Sequence, residues 1–448
     1  MTKNIGAQMY SWLKDLFPIC RSLTGDGNRE TLEYLNKILG GKLTIHEVPT
    51  GTEAFDWTVP KEWRIREAWI KDDTGRKIVD FADNNLHVVG YSTPIDTVLG
   101  LEELQKHLYS LPEQPDAIPY VTSYYRERWG FCVTENMRQS LVEGKYHVFI
   151  DSELFDGSLT YADLLIPGET DKEIFFSTYI CHASMANNEL SGPVVSTALA
   201  DWLINQNTTL KWANKVGGAK WRYSYRFIFI PETIGSIVYL SRHLSAMKAK
   251  TAAGFVVTCV GDDRSYSLLR SRLGNTLADK VALSVLRSEH PDFIEYSFLD
   301  RGSDERQYGA PGIDLPVVSV MRTKYGIYPE YHTSLDDLSL VTPDGLAGAL
   351  DVYQKIVLAL EHNHRYQVTC LGEPQLGKRG LYPTISQGGS IEKDVWTMIN
   401  FIAYCDGQHD LIDIAEKINV PISELYEVAY KLTKAGLLVK VDNDTGNG

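Results

Sequence analysis

The residues of this chain that could do chemistry are histidines and acids that follow apolar segments. His182 comes directly after EIFFSTYIC, Glu232 comes after YRFIFIP, and His332 lies beyond PVVSVMR. One histidine at the end of a strand is more often a buried core residue than a ligand, but two imidazoles with a carboxylate supply the three protein ligands of a catalytic zinc site. Zinc activates water and polarises a carbonyl group, so an amide or peptide bond is the natural target.

More acids follow other apolar segments. Asp262 lies at the end of GFVVTCVG, and the segment RGSDERQY supplies two acids and an arginine. Carboxylates pair strongly with a free amine, such as the N-terminus of a peptide, and Asp262, Asp304 and Glu305 are the acids able to do so. We predict that the substrate is bound by Asp262, Glu305, Arg306 and Tyr331, and that Asp304 acts in catalysis together with Glu232.

From about residue 159 to residue 360, short apolar strands alternate with amphipathic helices. The strands include KEIFFSTYI, YSYRFIFIP, GFVVTCV and PVVSVM, and the helices include PVVSTALADWLI and GLAGALDVYQKIVLALE. This alternation predicts an α/β fold, in which a mostly parallel, mixed sheet is covered by helices on both faces. Ligands of such sheets bind beyond the carboxyl ends of the strands, which is where the histidines and acids lie.

Two further units interrupt and follow this core. Residues 51–152 are rich in aromatic residues and turn signals, with a predicted hairpin in AWIKDDTGRKIVDF, and we interpret them as a β-rich insertion that could serve as a lid. Residues 385–448 have the helix and strand order of a winged helix-turn-helix. The predicted catalytic domain is therefore discontinuous and comprises residues 1–50 and 153–380.

The composition is that of a globular protein, with 448 residues, of which 44% are hydrophobic and 23% charged, and a formal net charge of −14. This charge, with an excess of acids over lysines in the C-terminal unit, disfavours nucleic acid as a partner and favours another protein or a second copy of the chain. The cysteines show no C-x-x-C spacing, and no apolar run is long enough to span a bilayer. We expect no membrane partner and a cytoplasmic location.

The order of these pieces resembles that of the co-catalytic zinc aminopeptidases. Tyr331-His332-Thr333 with Asp336 is similar to their Y-H-T-x-x-D motif. The other matches are His182 to their first histidine ligand, residues 188–192 to their Asp-Asn-x-Ser-Gly turn, residues 232–235 to their Glu-Glu-x-Gly turn, and residues 303–305 to their Ser-Asp segment. The resemblance covers about residues 150 to 360. It implies a zinc-exopeptidase fold, one or two zinc ions, and Glu232 as the general base.

The whole chain, including the insertion and the winged-helix end, also resembles a group of bacterial aminopeptidase-like proteins associated by name with polysaccharide biosynthesis. This second resemblance implies an aminoacylated cell-surface precursor as an alternative to a small peptide as substrate.

Three positions depart from the aminopeptidase pattern. Asn188 stands in place of the bridging aspartate, Thr233 in place of the second glutamate ligand, and Thr258 in place of the strand-end aspartate. Amides and hydroxyls bind zinc more weakly than carboxylates, and two neighbouring divalent ions need several anionic ligands. A single zinc is therefore the simpler expectation, and the candidate metal ligands are His182, Asn188, Glu189, Glu232 and His332.

The favoured reaction is hydrolysis of an amide bond by an aminopeptidase-like enzyme that acts on small peptides or an aminoacylated precursor. Two alternatives remain open. A single-zinc acyl transferase resembling the glutaminyl cyclases would use the same fold with fewer ligands. A binding or scaffold protein with a decayed active site would also lack ligands.

Overall fold

The core of the chain is an eight-stranded sheet with four parallel strands at its centre. In this computed structural model, which describes residues 2–124, 126–209, 220–381 and 393–441, the strands lie in the order Thr44–Pro49, Ser158–Ile166, Ser224–Ile230, Glu173–Tyr179, Thr251–Val256, Val317–Met321, Ser267–Leu269 and Ile294–Tyr296. The third to sixth strands of this order are parallel, and the outer strands add antiparallel pairs. The predicted α/β fold with a mostly parallel, mixed sheet is confirmed.

Helices cover both faces of this sheet. All seven residues of Glu173–Tyr179 are buried, and successive side chains of a strand point to opposite faces. Accordingly, Phe176 belongs to the larger hydrophobic cluster and Phe175 to a second one. A strand that is buried on both faces must be apolar at nearly every position, which is the pattern seen in the sequence.

The helices fall into groups according to the segment of the chain in which they lie. In the core they are Thr2–Leu16, Asp26–Ile38, Ser191–Thr209, Ile234–Lys250, Leu277–Glu289, Glu305–Tyr308 and Pro343–His362, with a π-helical turn at Ala186–Leu190. The insertion contains Leu101–Gln105 and Glu135–Ser140, and the C-terminal unit contains Lys393–Ala403, Leu411–Ile418 and Ile422–Lys434. Short 3-10 turns lie at Asn85–His87, Phe298–Asp300 and Gly377–Arg379.

The predicted β-rich insertion forms a separate antiparallel sheet. Its four strands lie in the order Lys77–Asp80, Glu62–Lys71, Lys145–Phe155 and Ile95–Gly100. The predicted hairpin is present, because the first two of these strands pair on either side of the turn at Asp72–Arg76. Two small sheets, Glu53–Ala54 with Trp57–Thr58 and Leu108–Tyr109 with Phe131–Cys132, complete it.

The C-terminal unit combines three helices with a three-stranded antiparallel sheet. Arg365–Val368 lies in the middle of that sheet, between Asp406–Asp410 and Leu438–Val441. This strand precedes the predicted boundary at residue 385, so we propose that the unit begins near residue 364. Residues 385–392 and 442–448 of the predicted unit lie outside the described residues.

Within the described ranges, no helix combines the length and apolar character needed to cross a membrane.

Candidate metal centre

The two histidines and Glu232 meet at one edge of the central sheet. His182 follows the strand Glu173–Tyr179, and Glu232 follows the neighbouring parallel strand Ser224–Ile230. His332 lies in the loops beyond Val317–Met321. Parallel strands bring their carboxyl ends to the same edge, so residues separated by up to 150 positions in the chain come together there.

The distances suit a shared cation. The ring centres of His182 and His332 are 5.3 Å apart, and the Nε2 atom of His182 lies 3.8 Å from a carboxylate oxygen of Glu232. Zinc lies about 2.1 Å from a ligand nitrogen, which places the ring centres of two imidazoles on one tetrahedral ion about 5 Å apart. The two imidazoles are therefore spaced for one ion. Among the described residues, however, only Cys181, His182 and Glu189 have potential ligand atoms that all lie within 4.8 Å of one another, so His332 would have to move closer for His182, Glu232 and His332 to bind the same ion.

A second observation supports this fit. Among the described residues, the Nε2 atom of His332 and the Oδ1 atom of Asn188 are buried without a hydrogen-bond partner. Buried polar atoms are nearly always hydrogen-bonded, and an exception can mark the place of an ion. We call His182, Asn188, Glu232 and His332 the open group, because its members offer a nitrogen or oxygen that the protein leaves for a ligand.

The imidazole of His332 is in the right state to bind a cation. Burial, followed by the nearby charge of His182, lowers the pKa of His332 to about 3. The ring is therefore neutral at physiological pH, and a neutral imidazole nitrogen is the form that binds metals.

Glu189 lies behind His182 instead of beside Glu232. Its Oε2 atom is 2.7 Å from the Nδ1 atom of His182, an arrangement that leaves Nε2 free and fixes the ring orientation. The fully buried guanidinium of Arg21 lies 3.8 Å from the other oxygen of Glu189 and donates to the main-chain carbonyl of His182 at 3.0 Å. Arg21 thus balances the charge of Glu189 and anchors the main chain of His182.

Cys181 belongs to the same neighbourhood. Potential ligand atoms of Cys181, His182 and Glu189 lie within 4.8 Å of one another, and the Sγ atom of Cys181 accepts a hydrogen bond from the main-chain N–H of Glu232 at 3.2 Å. A cation held by this trio would have to separate His182 from Glu189 and would lie beside Arg21. The open group is free of both costs.

Glu232 and Asp304 form a buried carboxyl pair. Burial raises the pKa of both groups, and the neighbouring charge of Glu232 helps to raise the pKa of Asp304 to about 7. One oxygen of Asp304 accepts hydrogen bonds from the main-chain N–H of Thr233 at 2.7 Å and the hydroxyl of Ser236 at 2.8 Å. Within the described part of the chain its other oxygen has no partner. The structure thus brings Asp304 to the candidate site.

Thr233 and Thr258, which we call the threonine pair, are occupied by the protein. The hydroxyl of Thr258 donates to the main-chain carbonyl of Asn188 at 2.9 Å and pairs with the hydroxyl of Tyr179. The hydroxyl of Thr233 accepts a hydrogen bond from Arg306. Neither hydroxyl is free for a second metal ion, and Arg306 adds a positive charge there.

The predicted substrate-binding residues fall into two groups, those whose side chains are already used by the protein and those that lie next to the candidate site. Asp262 accepts hydrogen bonds from Asn187, Arg264 and Thr323. Glu305 accepts them from Gly302, Ser303, Tyr325 and Ser319. Both carboxylates are almost fully buried and serve the protein itself, so the structure does not bring them to a substrate. Tyr331, in contrast, stacks on His332 with ring centres 3.9 Å apart, and Arg306 reaches Thr233 beside Glu232.

The backbone is strained at two of these positions. Thr233 has φ 63° and ψ −77°, and the N–H of Ile234 donates to the carbonyl of Glu232 at 2.8 Å, which together define a γ-turn with positive φ, a rare conformation. His332 also has a positive φ of 57°. Such strain persists where the surrounding structure enforces it, and it concentrates at functional sites.

Two residues near the site were missed by the sequence analysis. Arg21 comes from the connection between the first two helices, and Tyr120 comes from the insertion, where its ring lies 5.1 Å from His182 and 5.3 Å from His332. No local pattern marks either residue, because each reaches the site only through a tertiary contact.

Comparisons with known proteins agree with this architecture. Residues 10–363 match a family model described as "Domain of unknown function (DUF4910)". Residues 364–440 match a winged helix-turn-helix model, which confirms the C-terminal winged helix.

One curated relative spans nearly the whole chain. It is a Clostridium acetobutylicum protein named "Putative polysaccharide biosynthesis protein with aminopeptidase-like domain", and it is 42% identical over 97% of this chain and 96% of its own length.

Solved structures show the same fold. A crystal structure named as a "putative peptidase" from Clostridium acetobutylicum is 41% identical, with a TM-score of 0.90 over 98% of this chain and 97% of its own. The zinc aminopeptidase BSAP from Bacillus subtilis has a TM-score of 0.56 at 10% identity, over 79% of this chain and 94% of its own. A peptidase M28 precursor from Shewanella amazonensis has a TM-score of 0.55 at 12% identity, over 80% of this chain and 96% of its own. At such low identity these last two establish the zinc-aminopeptidase fold alone.

Proposed function

The chain belongs to the DUF4910 family, and we propose that its core hydrolyses amide bonds as an aminopeptidase-like enzyme that uses one zinc ion. The observation that carries the proposal is the pair of unpartnered buried atoms, His332 Nε2 and Asn188 Oδ1, together with the 5.3 Å separation between the ring centres of His182 and His332. The names of the relative and of the solved structures, which mention aminopeptidase or peptidase, support the same reaction class.

The ligands we assign are His182, His332 and one oxygen of the open group, either Asn188 Oδ1 or a carboxylate oxygen of Glu232. Glu189 holds the ring of His182 in place and is not itself a ligand in this assignment. When bound, the ion would polarise the scissile carbonyl and favour the ionisation of water.

The chain's own acid and base would then be Glu232. Its carboxylate takes a proton from the attacking water as the oxygen bonds to the carbonyl carbon, and it returns that proton to the nitrogen as the carbon–nitrogen bond breaks. Asp304, which binds the main chain of the Glu232 turn through Thr233 N–H, positions this base.

A small peptide or an aminoacylated precursor is the proposed substrate. A free amine needs an acid nearby, and Asp304 Oδ2 is a buried oxygen with no partner among the described residues. Of the three acids predicted to be able to pair with the amine, Asp304 is therefore the proposed anchor, because the protein already uses the carboxylates of Asp262 and Glu305.

The test joins metal analysis with a substrate screen. Purified protein is stripped with a chelator, reloaded with Zn²⁺, and assayed on aminoacyl amides, on N-acylated amides and on peptides with N-terminal Gln. We expect about one zinc per chain and release of an amine from the aminoacyl amides. The double variant His182→Ala, His332→Ala should lose both, whereas His147→Ala, which removes an exposed histidine paired with Asp96, should keep both.

Three outcomes would count against the proposal. Wild-type zinc content in the double variant would overturn the metal assignment. Pyroglutamate formation without hydrolysis would indicate an acyl transferase. Zinc binding without turnover of any amide would favour a binding protein.

A further inference from the structure

The insertion is tied directly to the loop that carries His332. The N–H of Tyr120 donates to the main-chain carbonyl of His332 at 2.9 Å, and the N–H of Ser334 donates to the carbonyl of Ile118 at 2.8 Å. The N–H of Ile118 in turn donates to the hydroxyl of Ser334 at 3.0 Å, and Pro119 and Thr333 form an antiparallel bridge. These contacts fix residues 118–120 relative to His332.

This attachment places the ring of Tyr120 against both imidazoles. Its centre lies 5.1 Å from that of His182 and 5.3 Å from that of His332, and the two imidazoles are themselves 5.3 Å apart. The three rings thus form a nearly equilateral triangle. Tyr120 therefore lines the candidate metal centre, although it comes from the insertion and the members of the open group come from the core.

The hydroxyl of Tyr120 is available to a ligand. It makes no hydrogen bond to any residue in the described ranges, and the side chain is only partly buried. Of the neighbouring phenols, Tyr179 pairs with Thr258 and Asn188, and Tyr328 pairs with Asp336. Tyr331, which stacks on His332, shares with Tyr120 a hydroxyl that makes no hydrogen bond among the described residues. Among the described residues, the hydroxyl of Tyr120 is not one of the buried atoms that lack a partner, so solvent or a substrate can reach it beside the two imidazoles.

We propose that Tyr120 is a catalytic residue contributed by the insertion, and that its hydroxyl donates a hydrogen bond to the carbonyl oxygen of the amide as negative charge develops there. This inference rests on the proposed amide hydrolysis. A fixed donor aimed at that oxygen stabilises the transition state more than the substrate, so its loss lowers kcat more than it raises KM. In this proposal the insertion supplies a catalytic hydroxyl to the active site, in addition to covering it.

The test compares two tyrosines of the insertion. Tyr120→Phe removes a hydroxyl without a protein partner, and Tyr146→Phe removes one that donates to the carbonyl of Val142 at 2.7 Å. We expect Tyr120→Phe to lower kcat on aminoacyl amides about 10²- to 10³-fold with little change in KM, zinc content or Tm. Tyr146→Phe should lower Tm and leave kcat unchanged.

A binding measurement keeps this test independent of turnover. Calorimetry with an aminoalkyl phosphonate, which mimics the tetrahedral anion, should show at least a tenfold loss of affinity in zinc-loaded Tyr120→Phe. An unchanged kcat, or an unchanged affinity where no amide is hydrolysed, would overturn the role of Tyr120. If no amide is hydrolysed but the phosphonate affinity falls, the proposed hydrolysis fails and the ligand contact of Tyr120 stands.

Discussion

The open group and the threonine pair occupy comparable places in the fold but differ in whether their polar atoms are hydrogen-bonded to the rest of the protein. Both lie just beyond strands of the central sheet, where the aminopeptidase pattern puts its metal ligands. In the open group, two buried atoms lack any partner among the described residues. In the threonine pair, both hydroxyls are hydrogen-bonded to the protein. The difference supports the proposed single zinc ion, because, of these two groups, only the open group leaves buried polar atoms without a partner among the described residues.

Glu232→Gln tests the open group and has the largest expected effect. The amide keeps the shape of the side chain but cannot take a proton from water, so kcat should fall about 10²- to 10⁴-fold. The assay is steady-state hydrolysis of an aminoacyl amide. Glu173→Gln, which changes a buried glutamate at the other end of the neighbouring strand, serves as the control and should keep kcat. Equal rates in wild type and Glu232→Gln would remove Glu232 as the base.

Arg21→Met tests the charge balance behind the open group. Arg21 and Glu189 both have fully buried side chains, and removal of one partner leaves an uncompensated buried charge, which costs about 3–5 kcal/mol of unfolding free energy. Chemical denaturation measures this loss. Arg64→Met, which breaks half-exposed ion pairs with Asp26 and Glu153, should lower the unfolding free energy much less, because exposed ion pairs contribute little to stability. Similar losses in the two variants would refute a special role for Arg21.

Thr258→Val tests the threonine pair. The valine leaves the buried carbonyl of Asn188 and the hydroxyl of Tyr179 without this partner, so the unfolding free energy should fall by about 1–3 kcal/mol while zinc content stays the same. Thr178→Val is a matched control, because the hydroxyl of Thr178 is buried and has no partner among the described residues. That control should be neutral or stabilising. A loss of zinc in Thr258→Val would show that this hydroxyl belongs to the metal site.

Asp304→Asn tests the carboxyl pair through pH and has the smallest expected effect. Burial and the charge of Glu232 raise the pKa of Asp304 to about 7, whereas an unfolded aspartate has a pKa of about 3.9. Between these values the folded protein binds more protons, so the unfolding free energy should rise as pH falls, by up to about 1.4 kcal/mol per pH unit.

In metal-free protein between pH 5 and pH 7, this slope should be smaller in Asp304→Asn than in wild type. Asp96→Asn, at an exposed site, should retain the wild-type slope. An unchanged slope in Asp304→Asn would mean that the carboxyl pair does not share a proton.

The sequence was most informative where local patterns carried the signal. The apolar strands, the helices between them and the positions of His182 and Glu232 after strands were predicted from periodicity and order, and His332 from its resemblance to the Y-H-T-x-x-D motif. The sequence was least informative about which polar side chains are hydrogen-bonded to the rest of the protein. Asp262 and Glu305 look like free acids in the sequence, yet each accepts several hydrogen bonds from loops distant in the chain.

The sequence by itself determined the strands of the sheet and the candidate side chains that follow them. It also determined that three anionic ligands of the aminopeptidase pattern are absent. These features depend on residue type and short-range pattern. Only the tertiary structure decided which polar atoms are left without partners, that Arg21 balances Glu189, and that Tyr120 of the insertion lies against the two imidazoles. Hydrogen-bond satisfaction and burial depend on which loops meet in space, and no local pattern encodes that meeting.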